Sequence, residues 1–166
     1  MTYELVDYKD PILHQPVQLF DFVAPPIDPP TLARQLYDSM IKEGGIGLSA
    51  NQCGLDYRVF VMAAHGDNFI ACFNPKIVDF SDERLYLEEG CLSYPGLFVK
   101  IKRPKIIKVR YTQSDGQTVT RKFDGITSRC FQHELDHLNG IVHIDLATRF
   151  HKEQALKKWK KLNGKN

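Results

Sequence analysis

The chain has no long hydrophobic run. Its longest apolar stretch, Val59 to Ala64 within 166 residues, falls far short of the roughly 20 residues that cross a bilayer and suits a buried strand instead. The opening residues, Met1-Thr2-Tyr3-Glu4-Leu5-Val6-Asp7, lack the basic region and apolar stretch of a secretory signal. A cytoplasmic protein with no membrane partner is therefore expected. An excess of one charge is also missing: 22 Lys and Arg against 20 Asp and Glu leave a net charge of +2, which does not announce a nucleic-acid ligand. The cysteines, Cys53, Cys72, Cys91 and Cys130, are expected as reduced thiols or metal ligands rather than a disulfide framework. With no internal repeat, low-complexity tract or linker, residues 1–166 are expected to form one domain.

Prolines at 11, 16, 25, 26, 29 and 30 preclude a long regular element before residue 30. A first helix should follow. Asp28 can cap it, Pro29 and Pro30 suit its first turn, Leu32, Leu36, Tyr37 and Met40 form an apolar stripe, and Gly44 and Gly45 stop it. Strand-like runs occupy 58–62, 69–73, 76–79, 105–111 and 118–123. The last two are joined by Ser114-Asp115-Gly116-Gln117, whose Asp-Gly step signals a hairpin. A second helix is expected from Gly125 to Asn139, with Gly140 as its stop.

That second helix carries the stretch with the sharpest chemistry, Gln132-His133-Glu134-Leu135-Asp136-His137-Leu138. Four residues apart on a helix, His133 and His137 project from one face and can grip one metal ion, while Glu134 is placed to move protons for a bound water, the H-E-x-x-H arrangement. Ile126, Cys130, His133, Glu134 and His137 share one stripe, and Phe131, Leu135 and Leu138 lie roughly opposite. Such a helix is expected between sheets, with its chemistry facing an internal cleft.

Catalytic metal sites usually take three protein ligands. The one downstream glutamate, Glu153, sits in a Lys-rich segment that reads as a surface helix. Upstream, Glu88-Glu89-Gly90-Cys91-Leu92-Ser93-Tyr94-Pro95-Gly96 is turn-rich and offers Cys91, whose thiolate is an excellent ligand for a divalent transition metal. A buried small hydrophobe is the bland alternative for this cysteine. The segment Gly45-Ile46-Gly47-Leu48-Ser49-Ala50-Asn51-Gln52 formally matches a dinucleotide fingerprint, but it follows a helix where such a fingerprint follows a strand. Its glycines instead let backbone approach a ligand closely, and Gln52 offers an amide donor to a developing oxyanion.

These three segments, in this order and spacing, resemble the peptide deformylase family. That family is marked by a G-x-G-x-A-A-x-Q segment, an E-G-C-L-S segment and a Q-H-E-x-D-H segment, matched here by 45–52, 89–93 and 132–137. Asp10-Pro11, Tyr37 to Met40, Asn74-Pro75 and His137 to Gly140 extend the resemblance over nearly the whole chain. It implies that Cys91, His133 and His137 bind one divalent ion, Fe(II) in the active form, with zinc, nickel or cobalt fitting the same donors in purified protein. It implies also that Glu134 shuttles protons while an activated water attacks the formyl carbon of an N-formylmethionyl peptide. Gln52 and the backbone amide of Leu92 would stabilise the oxyanion. Ile46, Ile126 and Cys130 would line the methionine pocket, and Gly47 and Gly90 would pair with the substrate backbone as an added strand.

Ser49 departs from the family's usual alanine, and a buried hydroxyl there must find a partner. Arg103 and Asp136 are expected to pair as a brace behind the metal ligands. The segment from His151 to Asn166, with six lysines and one glutamate, reads as an amphipathic helix packed on the body, with ribosomal RNA as a candidate partner of its basic face. The expectation is an α+β fold in which antiparallel sheets surround a central metal-binding helix flanked by N-terminal and C-terminal helices, acting as a monomer. A small zinc peptidase and a non-catalytic metal domain that binds peptide termini are the competing readings.

Overall fold

A computed structural model describes residues 1–164. Among these the order of elements is α1 (Pro29–Lys42), β1 (Gly47–Ser49), β2 (Val59–Ala63), β3 (Phe69–Phe80), β4 (Arg84–Cys91), β5 (Tyr94–Pro104), β6 (Ile107–Thr112), β7 (Thr118–Phe123), α2 (Gly125–Leu138) and α3 (Arg149–Asn163), with short 3-10 turns at Pro11–His14, Ala50–Cys53 and His143–Leu146. The fold is α+β. Five strands pair antiparallel in the order β1-β2-β3-β6-β7, and β4-β5 form a separate hairpin.

The caps are where the sequence puts them. Asp28 accepts the backbone N–H of Thr31 at 3.2 Å to start α1, and Asp124 accepts that of Gly125 at 2.6 Å to start α2. Gly140, in the left-handed region at φ +77°, follows α2; a Cβ there would lie 2.5 Å from the backbone of Gln15, so the close passage of the N-terminal segment excludes any side chain.

Phe131, Leu135 and Leu138 of α2 pack into the core formed by Phe60 and Met62 of β2, Cys72 of β3, and Ile107, Val109 and Tyr111 of β6. Phe60 and Phe131 meet edge to face at 5.0 Å. Full burial of each contributes about 2 to 3 kcal/mol before the pair term. Leu32, Leu36 and Met40 of α1 cover a second cluster with Leu48, Val59, Val61 and Phe73. A third joins Leu97, Val99 and Ile101 of β5 to Val142, Ile144 and Ala155.

Two features differ from the sequence expectation. The runs at 69–73 and 76–79 are one strand, β3, interrupted by a register shift between Phe73 and Lys76. There Asn74, at φ +50°, exchanges hydrogen bonds of 2.8 and 3.0 Å with the backbone of Phe20, and Pro75 supplies no N–H to the ladder. The second difference is the β4-β5 hairpin: the expected strands leave residues 80–104 unassigned, and within them 88–96 is expected to be turn-rich. Leu85, Tyr86 and Leu87 are all exposed, so β4 lacks the alternation that marks a half-buried strand, and Glu88-Glu89-Gly90 are weak strand formers. The alternation is clear only in β5, where Leu97, Val99, Ile101 and Arg103 are buried and Phe98, Lys100 and Lys102 are exposed.

The C-terminal helix α3 matches the expected amphipathic segment as far as it is described; residues 165 and 166 lie outside the described part. Its Trp159 packs against Tyr8 and Tyr94 and donates its indole N–H to the Pro95 carbonyl at 2.9 Å.

Candidate active site

The H-E-x-x-H face of α2 turns toward the end of β4, and this brings two histidines to a cysteine more than forty positions earlier in the chain. Cys91 Sγ lies 3.2 Å from His137 Nε2, and one ligand atom from each of Cys91, His133 and His137 falls within 4.8 Å of the others. A tetrahedral ion bonded at roughly 2.3 Å to sulfur and 2.0 to 2.1 Å to nitrogen has edges of about 3.3 to 3.6 Å. The donors present therefore fit one divalent ion. The second nitrogen of His133, Nδ1, faces Glu89 Oε1 at 3.0 Å, which places its proton on Nδ1 and leaves the Nε2 lone pair for the ion.

Glu89 is the hub behind these ligands. Its carboxylate receives Arg103 Nε at 2.6 Å and Nη2 at 2.9 Å, Arg129 Nη1 at 2.8 Å and His133 Nδ1 at 3.0 Å. Burial alone would raise this carboxyl, but the hydrogen bonds and charges of His133 and Arg103 hold it well below the usual carboxylate range. Arg103 also donates Nη1 to Asp136 Oδ2 at 2.7 Å, so the two residues expected to pair do so, in a larger network. Arg129 reaches the carbonyls of Ile101 and Leu85, both at 2.7 Å, and pins the hairpin to α2. Burial lowers the affinity of His133 for a proton, yet without metal the contacts with Cys91 and Glu89 outweigh it and push the ring up to about 10, so an ion that binds Nε2 must displace a proton from it. His137, buried beside the charge of His133, is shifted far the other way.

Glu134 is 3% exposed, and its Oε2 has no hydrogen-bond partner among the described residues. Burial, with the charges of Glu89 and Asp136, raises its carboxyl to about 7 against the pull of His133 and Arg103, a value suited to passing protons at neutral pH. Opposite it, Gln52 is 1% exposed and directs Nε2 at Ser93 Oγ, 2.9 Å away, and at Cys91 Sγ, 3.7 Å away. The neighbouring Asn51 donates to the carbonyl of His137 at 2.6 Å and ties the glycine-rich segment to the end of α2.

A cleft of about 500 Å³ opens onto Cys91, His133 and Glu134, with Gln52 and His137 outside its lining. Ile46, Gly47, Gly90, Cys91, Leu92, Ile126, Cys130, His133 and Glu134 all line it, whereas Arg103 and Asp136 stand behind it. Ile46 and Ile126 are more than half exposed on its rim, and Cys130 is buried. At Gly47 a Cβ would meet Cys130 Sγ at 2.7 Å and Glu134 Oε1 at 2.8 Å; at Gly90 it would meet the Phe98 ring at 2.5 Å. Backbone can therefore line the floor only because both residues are glycine.

Sequence reasoning did not assign roles to Glu89, Arg129 or Ser93. Arg129 stands four residues before His133, on the metal-bearing stripe of the helix, and that spacing was a usable signal. Glu153 is far from the site chemically as well as in sequence: it pairs with Arg149 on the exposed side of α3.

The family described as polypeptide deformylase matches residues 2–153. A peptide deformylase of Desulforudis audaxviator is 39% identical, covering 92% of this chain and 98% of its own, and one of Brucella suis is 38% identical, covering 95% and 91%. Among solved structures, a peptide deformylase of Synechococcus elongatus in complex with actinonin superposes with a TM-score of 0.87 at 31% identity, over 94% of this chain and 86% of that one. A Plasmodium falciparum peptide deformylase gives 0.87 at 36%, over 96% and 95%. A glycine-rich segment, a cysteine turn and an H-E-x-x-H helix converging on one cleft, together with these relationships, establish that the chain belongs to the peptide deformylase family.

Proposed function

We propose that deformylation takes place in this cleft, with Cys91, His133 and His137 holding the ion and Glu134, Gln52 and Leu92 acting on the formyl group. As a family member the chain is a metallohydrolase that removes the N-formyl group from N-formylmethionyl peptides and releases formate. A divalent ion held there supplies Lewis acidity and lowers the pKa of water toward neutrality. The chain's own groups do the rest. Glu134 takes a proton from the attacking water and returns one to the leaving amine. Gln52 Nε2 and the Leu92 N–H donate to the formyl oxygen as charge develops, each such donor contributing about 3 to 4 kcal/mol at the transition state. Ile46, Ile126 and Cys130 receive the methionine side chain, while Gly47 and Gly90 offer backbone groups to the peptide as an added strand.

The observation that carries this reading is the cluster of Cys91, His133 and His137 donors, with Cys91, His133 and the buried Glu134 lining one cleft. We read α2 as the central element of a single catalytic domain, with the sheets around it and α1 and α3 at its flanks. Fe(II) is the working ion in this reading; the same thiolate and imidazoles accept zinc, nickel and cobalt, and the affinity order favours zinc over iron. No described helix is long and apolar enough to cross a membrane. A monomer in the cytoplasm, with the lysines of α3 meeting ribosomal RNA, completes the proposal, and unchanged co-sedimentation after removal of residues 157–166 would remove the ribosome from it.

The test is formate release from N-formyl-Met-Ala-Ser by protein prepared anaerobically with Fe(II), beside Glu134→Ala and an unformylated peptide. Formate from the wild type alone, with metal retained in the variant, is expected. Peptide-bond cleavage without formate would favour a peptidase, and turnover by Glu134→Ala would remove its proton-carrying role.

A further inference from the structure

We propose that Ser49 is a positioning residue that locks the Gln52 amide with its N–H facing the reacting centre. The idea rests on Gln52 acting as an oxyanion donor. Ser49 is fully buried, and two of its groups converge on Gln52 Oε1: the backbone N–H at 3.0 Å and the hydroxyl at 3.0 Å. A backbone N–H can only donate, so the atom facing it must be the amide oxygen. With Oε1 held from two sides, Nε2 has one direction left, toward Ser93 Oγ at 2.9 Å and Cys91 Sγ at 3.7 Å. Where the family usually carries alanine, the backbone N–H would hold the amide alone. The hydroxyl adds a second hydrogen bond to Oε1 where both side chains are almost fully buried and directed hydrogen bonds are strengthened, while a rotated amide would set its NH2 against the backbone N–H, which can only donate. Ser49 touches no reacting atom; it narrows the orientations of the group that does.

The test is a double-mutant cycle on the metal-loaded enzyme with N-formyl-Met-Ala-Ser, comparing wild type, Ser49→Ala, Gln52→Ala and the double variant. Loss of one neutral hydrogen bond predicts a roughly three- to tenfold fall in kcat for Ser49→Ala with KM unchanged. In the Gln52→Ala background the same change should cost nothing further. Ser49→Cys, nearly isosteric with a weaker donor, should fall between serine and alanine. A second readout is the thiolate-to-metal charge-transfer band of the Co(II)-substituted protein, since Gln52 Nε2 lies against Cys91 Sγ; Ser49→Ala should shift this band in the same direction as Gln52→Ala. Equal kcat losses in both backgrounds would overturn the positioning role while leaving the Gln52 assignment standing. A Gln52→Ala enzyme with full kcat would instead remove the oxyanion assignment, and an unmoved cobalt band in Ser49→Ala would then overturn the hold of Ser49 on the amide as well. A lowered melting temperature with unchanged kcat and band would reduce Ser49 to a helix cap and also overturn the proposal.

Discussion

Replacing Glu89 with glutamine should be among the costliest conservative changes in this protein. The carboxylate takes hydrogen bonds from two guanidinium groups and one imidazole at 2.6 to 3.0 Å, and its side chain is only 5% exposed. Arg103 and Arg129 are balanced by Glu89 and Asp136; removing one anion leaves a buried positive charge, and the amide turns its own donors toward guanidinium N–H groups. Breaking one side of a buried ion pair costs about 3 to 5 kcal/mol. For a chain of this length each kcal/mol moves Tm by about 2 to 4 °C, so a fall of roughly 6 to 20 °C is expected. The bond that orients His133 is lost as well, which should weaken metal binding about 10- to 100-fold. Asp136→Asn is the control: its side chain is 21% exposed and makes one bond to Arg103, so a loss of about 1 to 2 kcal/mol is expected. Urea unfolding of metal-free protein measures the first quantity, and zinc competition against a chromophoric chelator the second. A Glu89→Gln loss below about 1 kcal/mol, or one equal to that of Asp136→Asn, would refute the hub assignment.

Three further outcomes are expected. Gly47→Ala should retain its metal and lose roughly 100-fold in kcat, because its Cβ would stand 2.8 Å from Glu134 Oε1; a fully active variant would show that Glu134 has room to move. His143, buried against Tyr94 and His133, is lowered by burial and by the charge of His133 from 6.5 to about 4. The unfolded chain therefore takes up this proton first, so the stability His143 contributes is complete above about pH 6.5 and is lost as pH falls toward 4, by roughly 3 kcal/mol in all. Urea midpoints of wild type and His143→Phe between pH 4.5 and 7 should diverge accordingly, and parallel curves would contradict it. Finally, iodoacetamide should modify Cys91 first once metal is removed by a chelator, since Cys72 and Cys130 are buried with thiols pushed well above their ordinary range and burial pushes the thiol of the half-buried Cys53 up to about 12. Mass spectrometry reads the order of modification, and early labelling of Cys130 would count against its burial at the base of the cleft.

Local structure is legible in the chain alone. Helix α1 is written in Asp28, two prolines and an apolar stripe, and the i, i+4 spacing of His133 and His137 makes a metal-binding face wherever that helix lies, because helical periodicity depends on neighbours alone. Ordered motifs then carried the family. The tertiary structure decided what depends on distance across the chain. The β4-β5 hairpin was hidden because its first strand exposes three consecutive apolar side chains, and only pairing with β5 reveals the register that presents Cys91 to α2. Glu89 acquires its role only where Arg103 and Arg129 close over it from a strand and a helix. Ser49 looked like a minor departure beneath the oxyanion donor, and its hydroxyl lies on the amide oxygen of Gln52 only once the 3-10 turn folds. Buried charges and buried hydroxyls acquire meaning from their partners, and those partners come from other parts of the chain.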